Sequence, residues 1–122
     1  MIQELDYSGD GFDDIIARDH RYNARAYTLL LDVIHALGGP EGDRHMDAAA
    51  IMDEFKEAAL DQFGPMTYRV LAEWGLSRCE DLGEMMFNLA DSGRVHRDPD
   101  DGKESFIGGY DFEEAFLNPY AT

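Results

Sequence analysis

The spacing of apolar residues is the feature that most limits what this chain can fold into. Between Arg21 and Leu37, large apolar side chains recur every three or four residues, which places them on one face of an α-helix. Stripes of the same kind run from Phe12 to Asp19 and from Asp47, a candidate N-cap, to Phe63. The first half of the chain is therefore predicted to form three helices, of which the second is the central one.

Glycine and proline separate these stripes where helices are expected to end. The Gly-Gly-Pro run at 38–40 ends the second stripe, because glycine accepts the left-handed conformation and proline cannot continue the hydrogen-bond ladder. Gly64 ends the third stripe. Pro65 suits the first turn of a fourth helix, whose apolar face continues until Gly75.

A fifth helix is predicted between Ser77 and Gly93. Ser77 and Glu80 match the Ser-x-x-Glu capping box, in which each side chain bonds a backbone N–H that the helix leaves free. Phe87 lies off the apolar face of this helix, so core packing does not explain it. That face consists of Leu82, Met85, Met86 and Leu89.

The pattern changes after Gly93. Residues 94–96 and 105–107 are typical of short strands, and the Asp-Pro-Asp-Asp-Gly run at 98–102 predicts a turn between them. Asp111 and Glu114 then match another helix cap, which is followed by one last helical turn. Four aromatic residues near the end are expected to seal the core, the alternative being contact with a second subunit: Tyr110, Phe112, Phe116 and Tyr120.

These segments predict a mainly α fold of five to six helices with a small C-terminal β-hairpin. The order of helix, Trp-Gly turn, capped helix and hairpin between Val70 and Phe112 is also that of a winged helix-turn-helix, so a winged-helix-like arrangement is an alternative. The 122 residues, 44% of them hydrophobic, suffice for one core, and residues 1–122 are predicted to form a single domain. Residues 1–11 are expected to be an irregular lead-in.

The charge of the chain restricts its partners. Asp and Glu number 26 and Lys and Arg number 10, which gives a formal net charge of -16. This charge repels phosphate backbones and anionic membrane surfaces over roughly one Debye length. A protein partner, either a basic one or a second copy of the chain, is favoured over nucleic acid, and no membrane association is expected.

The sequence favours a cytoplasmic location. Cys79 is the only cysteine, so the chain forms no internal disulfide. The N-terminal residues lack the positive and apolar segments of a secretory signal, and no apolar run is long enough to span a membrane.

Two acidic segments are weak candidates for calcium. Asp6, Ser8 and Asp10 occupy the first ligand positions of an EF-hand loop, but Ala17 stands where the loop needs a bidentate glutamate. The sequence therefore favours a flexible acidic N-terminus. The second segment contains four carboxylates, those of Asp98, Asp100, Asp101 and Glu104. A solvated turn is favoured over a metal site as the explanation of this segment. No cofactor is predicted.

The usual catalytic signatures are missing from the sequence. No phosphate-binding loop, dinucleotide fingerprint or nucleophile elbow occurs, and the four histidines lack metal-ligand spacing. Cys79 lies in the first turn of the predicted fifth helix, where the helix dipole favours a thiolate, but Glu80 and Asp81 beside it favour the thiol. We therefore predict no catalytic residue, and a buried or inert thiol.

Three functions from different classes are compatible with these features. A non-enzymatic protein–protein interaction or adaptor module is favoured by the acidity and by the missing catalytic motifs. An enzyme of unknown type comes third, because catalytic sites assemble from residues that are distant in sequence. The second candidate is a winged-helix-like nucleic-acid or transcription-associated protein with a local positive patch, formed by Arg69, Arg78, Arg94 and Arg97.

The likeness of this chain to known proteins lies in three segments, RYNARAYTLLLDVI, QFGPMTYRVLAEWGLSRCEDLGEMMFNLADSGRV and ESFIGGYDFEEAFLNPY. Their most specific runs are QFGPM, EWG, EDLGE and GGYDFEEAF. Through these runs, over roughly Phe12 to Tyr120, the chain resembles a family of uncharacterised small bacterial proteins found largely in the Planctomycetes and Verrucomicrobia. The resemblance implies one small domain in a bacterial cytoplasm and brings no activity or catalytic residue. The chain departs from the family where HMDAAAIMDEF replaces a Ser-Gly-Gln-type opening.

Overall fold

Helices make up most of the structure, a computed structural model that describes residues 12–37, 48–93, 95 and 103–117. None of the helices in these ranges has both the length and the apolar character that crossing a membrane requires. The predicted mainly helical fold and its five predicted helices are confirmed. The α-helices are α1 (Asp13–Arg18), α2 (Ala24–Ala36), α3 (Ala48–Phe63), α4 (Thr67–Glu73) and α5 (Cys79–Asp91), with 3₁₀ turns at Gly64–Met66 and Lys103–Phe106 and a π-helical turn at Glu113–Leu117.

The central position of α2 follows from its sequence. Asn23 caps the helix, since its side-chain oxygen accepts a hydrogen bond from the backbone N–H of Arg25 over 2.8 Å. Each large apolar side chain that the helix removes from water contributes roughly 1.5–3 kcal/mol. The buried residues occupy neighbouring stripes, so α2 packs on more than one side: Ala26, Tyr27, Leu29, Leu30, Val33 and Ile34.

A buried threonine joins α3 to α4. Thr67 is fully buried, and its hydroxyl donates to the carbonyl oxygen of Gly64 over 2.6 Å. The carbonyl oxygen of Ala59 lies 3.3 Å from the same hydroxyl. Because burying a hydroxyl without a partner costs about 1–3 kcal/mol, these two carbonyls make the buried position favourable for Thr67.

The turn between α4 and α5 lies directly against the linker between α1 and α2. Gly75 adopts a φ of +98°, and a Cβ atom at this position would collide with the carbonyl oxygen of Arg21. The backbone N–H of Asn23 donates to the carbonyl oxygen of Trp74 over 3.0 Å. The ring of Trp74 meets the ring of Phe63 edge-on, with 5.4 Å between the ring centroids. Only glycine combines this backbone conformation with so close an approach.

The start of α5 differs from the predicted capping box. The carboxylate of Asp81 accepts from the backbone N–H groups of Ser77 over 2.8 Å and of Arg78 over 3.1 Å. Cys79 is the first helical residue, so Asp81 occupies the third position of the helix, from which a carboxylate turns back towards the preceding backbone. The predicted helix is confirmed, and the predicted role of Glu80 in its cap is wrong.

The predicted C-terminal β-hairpin is wrong at its second strand. Residues 105–107 fall in the 3₁₀ turn at Lys103–Phe106 and the turn that follows it, and the described ranges contain no strand. Phe106 is buried against α5, where a Cβ atom on Gly83 would lie 3.1 Å from its ring. Packing against a helix therefore decides the conformation of this short segment. Of the first predicted strand only Val95 is described, and residues 98–102 lie outside the described ranges.

The aromatic C-terminal segment closes the core, as predicted. Asp111 accepts from the backbone N–H of Glu114 over 3.1 Å, which confirms the predicted cap. Phe112 and Phe116 are buried, and their rings meet edge-on with 4.9 Å between the centroids. Tyr120, the last of the predicted aromatic set, lies outside the described residues.

Candidate interaction surface

A network of charged and polar side chains joins the α1–α2 linker to α5. The carboxylate of Asp19 accepts from Nε and Nη2 of Arg21 over 2.9 and 2.7 Å, in a bidentate pair. It also accepts from the backbone N–H of Arg21 over 3.2 Å and from the side-chain amide of Asn88 over 3.0 Å. The hydrogen bond from the Arg21 side chain holds the pKa of Asp19 well below its usual range, although burial opposes this shift. Asp19 is therefore a carboxylate at neutral pH.

Two tyrosines extend this network into the core. The hydroxyl of Tyr22 donates to Asp81 Oδ1 over 2.7 Å, and burial together with this bond raises the pKa of Tyr22. The amide of Asn88 donates to the hydroxyl oxygen of Tyr27 over 3.0 Å, and burial raises the pKa of Tyr27. Both phenols are protonated at neutral pH, so they act as fixed hydrogen-bonding groups.

The charges of this network offset one another. Arg21 faces two carboxylates, those of Asp19 and Glu84. Glu84 lies 63 residues after Arg21 in the chain. General acid–base catalysis needs a group whose pKa lies near the working pH, and the depressed pKa of Asp19 does not meet this condition. We therefore assign the network a structural role, in which it fixes the linker to α5.

The network continues through Glu84 to the protein surface. Glu84 Oε1 lies 3.2 Å from Arg21 Nη2 and 3.2 Å from Lys103 Nζ. The Lys103 ammonium group also lies over the ring of Phe87, 4.7 Å from its centroid. An exposed cation–π contact of this kind contributes about 0.5–1 kcal/mol. Lys103 thereby connects the 3₁₀ turn to two positions on α5.

The segment from Lys103 to Gly108 runs along α5 in the direction opposite to the helix. Lys103 lies over Phe87, whereas the backbone N–H of Gly108 donates to Glu80 Oε2 over 3.3 Å. Gly83 lies between these two points, and a Cβ atom there would lie 3.1 Å from the carbonyl oxygen of Lys103. The missing side chain at Gly83 therefore permits the close approach of the two segments.

Two large apolar side chains are exposed along this junction. Ile107 is 64% exposed and Phe87 is 38% exposed. Ile107 directly precedes Gly108, which binds Glu80, so Ile107 and Phe87 lie near opposite ends of the helical stretch from Glu80 to Phe87. We use the name α5 surface for the set Glu80, Glu84, Phe87, Glu104 and Ile107.

Cys79 is buried, as predicted. Its Sγ atom donates to the carbonyl oxygen of Tyr110 over 3.4 Å, and burial raises the pKa of the thiol to about 11. The thiolate is the nucleophilic form of cysteine, and this pKa disfavours it at neutral pH. The hydroxyl of Tyr110 donates to the carbonyl oxygen of Met52 over 2.9 Å, so this cluster ties the C-terminal segment to α3.

The calcium predictions stay predictions. Glu104 is described, and it is exposed in the 3₁₀ turn at Lys103–Phe106. Within the described part of the chain, no group of three or more His, Cys, Asp or Glu side chains is placed to hold a metal ion. The other predicted ligands lie outside the described residues: Asp6, Ser8, Asp10, Asp98, Asp100 and Asp101.

The predicted arginine patch is described at two of its positions. Arg69 lies in α4 and Arg78 directly precedes α5, and both are exposed. Arg94 and Arg97 lie outside the described residues. Arg21 is not among the predicted site residues. The only local sign of its ion pair with Asp19 is the spacing of two residues between the opposite charges.

Comparison with protein-family models gives no match, and comparisons with curated proteins and with solved structures give no significant match. The function of the α5 surface is therefore inferred from its geometry and charge.

Proposed function

We propose that this protein is a non-enzymatic interaction module that binds a basic protein partner through the α5 surface. The observation that carries the proposal is the exposure of Ile107 and Phe87 on a surface that also carries three glutamates. Large apolar side chains that face water beside charged residues occur at protein contact sites. An aromatic and an aliphatic anchor surrounded by polar residues also match the usual composition of such sites.

The charge of the molecule favours a basic partner over a neutral or acidic one. The formal net charge is -16, which attracts cationic proteins and repels anionic ones before contact. Lys103 and Arg21, the cations bonded to Glu84 of the α5 surface, both lie within ion-pair distance of carboxylates. These ion pairs also neutralise Glu84, so the attraction for a basic partner comes from the net charge of the whole chain.

Reconstitution with a purified partner tests the proposed function. The chain serves as bait in a lysate of its source organism, with an unrelated acidic protein of similar net charge as the control bait. The most enriched specific protein is then purified and titrated against the chain by calorimetry. We expect a dissociation constant that rises several-fold between about 50 and 500 mM NaCl, because salt screens the attraction. A reconstituted pair that does not bind, or that ignores ionic strength, contradicts the proposal.

Nucleic-acid binding through a winged-helix-like arrangement is the alternative, and it is less favoured. The second strand predicted for its wing is a 3₁₀ turn, and the net charge opposes contact with phosphates. Titration of a labelled DNA duplex at about 50 mM salt tests it, and we expect no change in fluorescence anisotropy. A rise in anisotropy that disappears with added salt would replace our proposal.

We further propose that the chain belongs to the small bacterial family that its QFGPM, EWG, EDLGE and GGYDFEEAF runs resemble, and that it acts in the cytoplasm. The single, buried Cys79 supports this location, since the chain needs no oxidising compartment. Immunoblotting of fractionated cells tests the location, and recovery in the envelope or the medium would contradict it. A family member with a different order of helices would contradict the membership.

A further inference from the structure

We propose that Met52 is an oxidation site, and that its conversion to the sulfoxide opens access to the thiol of Cys79. Hydroperoxides are the class of reagent that carries out this conversion. The residues that move are Gly109 and Tyr110, which we name the sulfur cover. The inference stands independently of the proposed function and of the α5 surface.

The sulfur atoms of Met52 and Cys79 lie under the same glycine. A Cβ atom on Gly109 would lie 2.6 Å from Sδ of Met52 and 2.8 Å from Sγ of Cys79. Atoms that are not bonded to each other make their best contact at about 3.5–4.0 Å, so the backbone of Gly109 already packs on both sulfur atoms. No room is left for a further atom between Gly109 and either sulfur.

The layer of protein over Cys79 is thin at this point. Gly109 is exposed, whereas Cys79 is buried, so the backbone of one residue separates the thiol from water on this side. Met52 is partly exposed, in contrast to Ile51 and Phe55 of the same helix, which are buried. A small oxidant dissolved in water therefore reaches the side chain of Met52 more readily than that of Cys79.

The sulfur cover is attached at both ends and can move between them. Before it, the backbone N–H of Gly108 donates to Glu80 Oε2 over 3.3 Å, and after it Phe112 and Phe116 are buried. Gly108 adopts a φ of +77°, and a Cβ atom there would meet nothing within 4 Å, so its surroundings leave the backbone room to rotate. A displacement of Gly109 therefore leaves the helices in place.

Met52 also contacts the second residue of the sulfur cover. The carbonyl oxygen of Met52 accepts from the hydroxyl of Tyr110 over 2.9 Å. The ammonium group of Lys56, one turn further along α3, lies 5.2 Å from the centroid of the Tyr110 ring. The carbonyl oxygen of Tyr110 accepts from Sγ of Cys79 over 3.4 Å. A change at Met52 therefore acts on Cys79 through both residues of the cover.

Oxidation adds one oxygen atom to Sδ of Met52. A lone pair of the sulfur attacks one peroxide oxygen, an S–O bond forms and the O–O bond breaks, and the second oxygen takes up the proton and leaves as water or an alcohol. The sulfur is oxidised by two electrons and the peroxide is reduced by two. A thioether needs no deprotonation for this step, whereas a pKa of about 11 keeps Cys79 in the less reactive thiol form.

The sulfoxide is incompatible with the contact between Met52 and Gly109, because it is larger and more polar than the thioether. An oxygen directed towards Gly109 displaces the glycine backbone, since the contact leaves no room for it. An oxygen directed elsewhere needs a hydrogen-bond partner, and the side chain turns towards water to obtain one. Both movements separate Met52 from Gly109 and loosen the cover over Cys79.

Thiol labelling after peroxide treatment tests the inference. The whole chain is treated briefly with hydrogen peroxide, the peroxide is removed, and peptide mass spectrometry measures the sulfoxide at each methionine. A disulfide reagent then labels Cys79, and titration in urea counts the thiols that the peroxide has left intact. We expect the chain with sulfoxide at Met52 to be labelled about ten-fold faster than the untreated chain, through local opening of the cover.

Variants show whether Met52 is the residue responsible. Met52→Leu preserves the size and apolar character of the side chain but accepts no oxygen, so peroxide should leave the labelling rate of this variant unchanged. Met66→Leu is the matched control, because Met66 is 50% exposed and lies outside the cover, and peroxide should accelerate its labelling as in the wild type. Met52→Gln places a polar group beside Gly109 and should label rapidly without peroxide.

Three outcomes would overturn the inference. The first is equal acceleration by peroxide in Met52→Leu and in the wild type. The second is a Met52 side chain that stays unoxidised at a peroxide dose that converts Met66, or that is oxidised without any change in labelling. The third is loss of the helical circular dichroism signal together with rapid labelling, because the whole fold would then open and not the cover alone.

Discussion

At the scale of single residues, two glycines with similar backbone conformations have different surroundings. Gly75 and Gly93 both adopt left-handed φ angles, +98° and +83°. A Cβ atom on Gly75 would collide with the carbonyl oxygen of Arg21, whereas a Cβ atom on Gly93 would meet nothing within 4 Å. The pair therefore separates the cost of backbone strain from the cost of a collision.

We expect Gly75→Ala to lower the free energy of unfolding by about 3 kcal/mol, because strain and collision add. Gly93→Ala is the matched control and should cost about 1 kcal/mol, from strain alone. Urea denaturation followed by circular dichroism measures both. Equal losses would show that the approach of Gly75 to Arg21 is not a constraint on the fold.

The buried thiol of Cys79 gives a second test at this scale. Burial raises its pKa from about 9 to about 11, so the thiolate fraction at about pH 8 falls roughly 100-fold. We expect the folded protein to react with a disulfide reagent at least that much more slowly than the protein unfolded in urea. Labelling at similar rates in the two states would contradict the buried position of Cys79.

Asp19 makes the stability of the fold depend on pH. Its pKa is lowered in the folded state, so its contribution is fully present above the unfolded pKa of about 4 and is lost as the pH falls below that value. We expect Asp19→Asn to lower the free energy of unfolding by about 1 kcal/mol at neutral pH, since the side chain of Arg21 is half exposed and solvent screens the pair. Urea titrations at neutral pH and at about pH 3 measure the difference between variant and wild type, which should shrink in acid. A difference that stays constant with pH would argue against the ion pair.

At the scale of elements, the length of a pattern decides how well it predicts structure. The six buried residues of α2 extend over most of a helix of 13 residues, and the sequence predicts that helix correctly. The strand-like pattern at residues 105–107 covers only three residues. The 3₁₀ conformation of this segment depends on the space that Gly83 leaves on α5. Local spacing contains no information about that space.

The candidate site is less predictable than the helices for the same reason. The position of Phe87 off the apolar face of α5 predicts its exposure, and the structure confirms this. Ile107 was expected in a strand, so its place beside α5 could not be foreseen. The bond between Asp19 and Asn88 joins residues that are 69 positions apart, and no local pattern records such a contact.

The attachment of the segment from Lys103 to Gly108 to α5 can be tested by shortening one buried and one exposed side chain of this segment. We expect Phe106→Ala to lower the free energy of unfolding by about 3 kcal/mol, because it leaves a cavity against α5. Ile107→Ala should change it by less than about 0.5 kcal/mol, since this side chain already faces water. Thermal and urea denaturation of both variants provide the values. A larger loss for Ile107→Ala would mean that the segment turns its other face towards the core.

At the scale of the whole molecule, the excess of negative charge should weaken the fold at low ionic strength. The formal net charge of -16 creates self-repulsion, which salt screens, while the exposed ion pairs contribute little on their own. We expect Tm to rise by several degrees between about 10 and 500 mM NaCl. The rise should be smaller at about pH 4, where many carboxylates are protonated. A Tm that falls with salt would mean that the ion pairs outweigh the repulsion.

Trp74 lies where α3, α4 and the α1–α2 linker meet, with its ring against Phe63 and its carbonyl oxygen bonded to Asn23. It is the only tryptophan of the chain, so the intrinsic fluorescence of the protein excited at the red edge of its absorption comes from this junction. Loosening of the linker exposes the indole ring to water and shifts its emission to longer wavelengths. The protein thus carries a built-in optical reporter, which distinguishes local opening at the junction from loss of the helices without any added label.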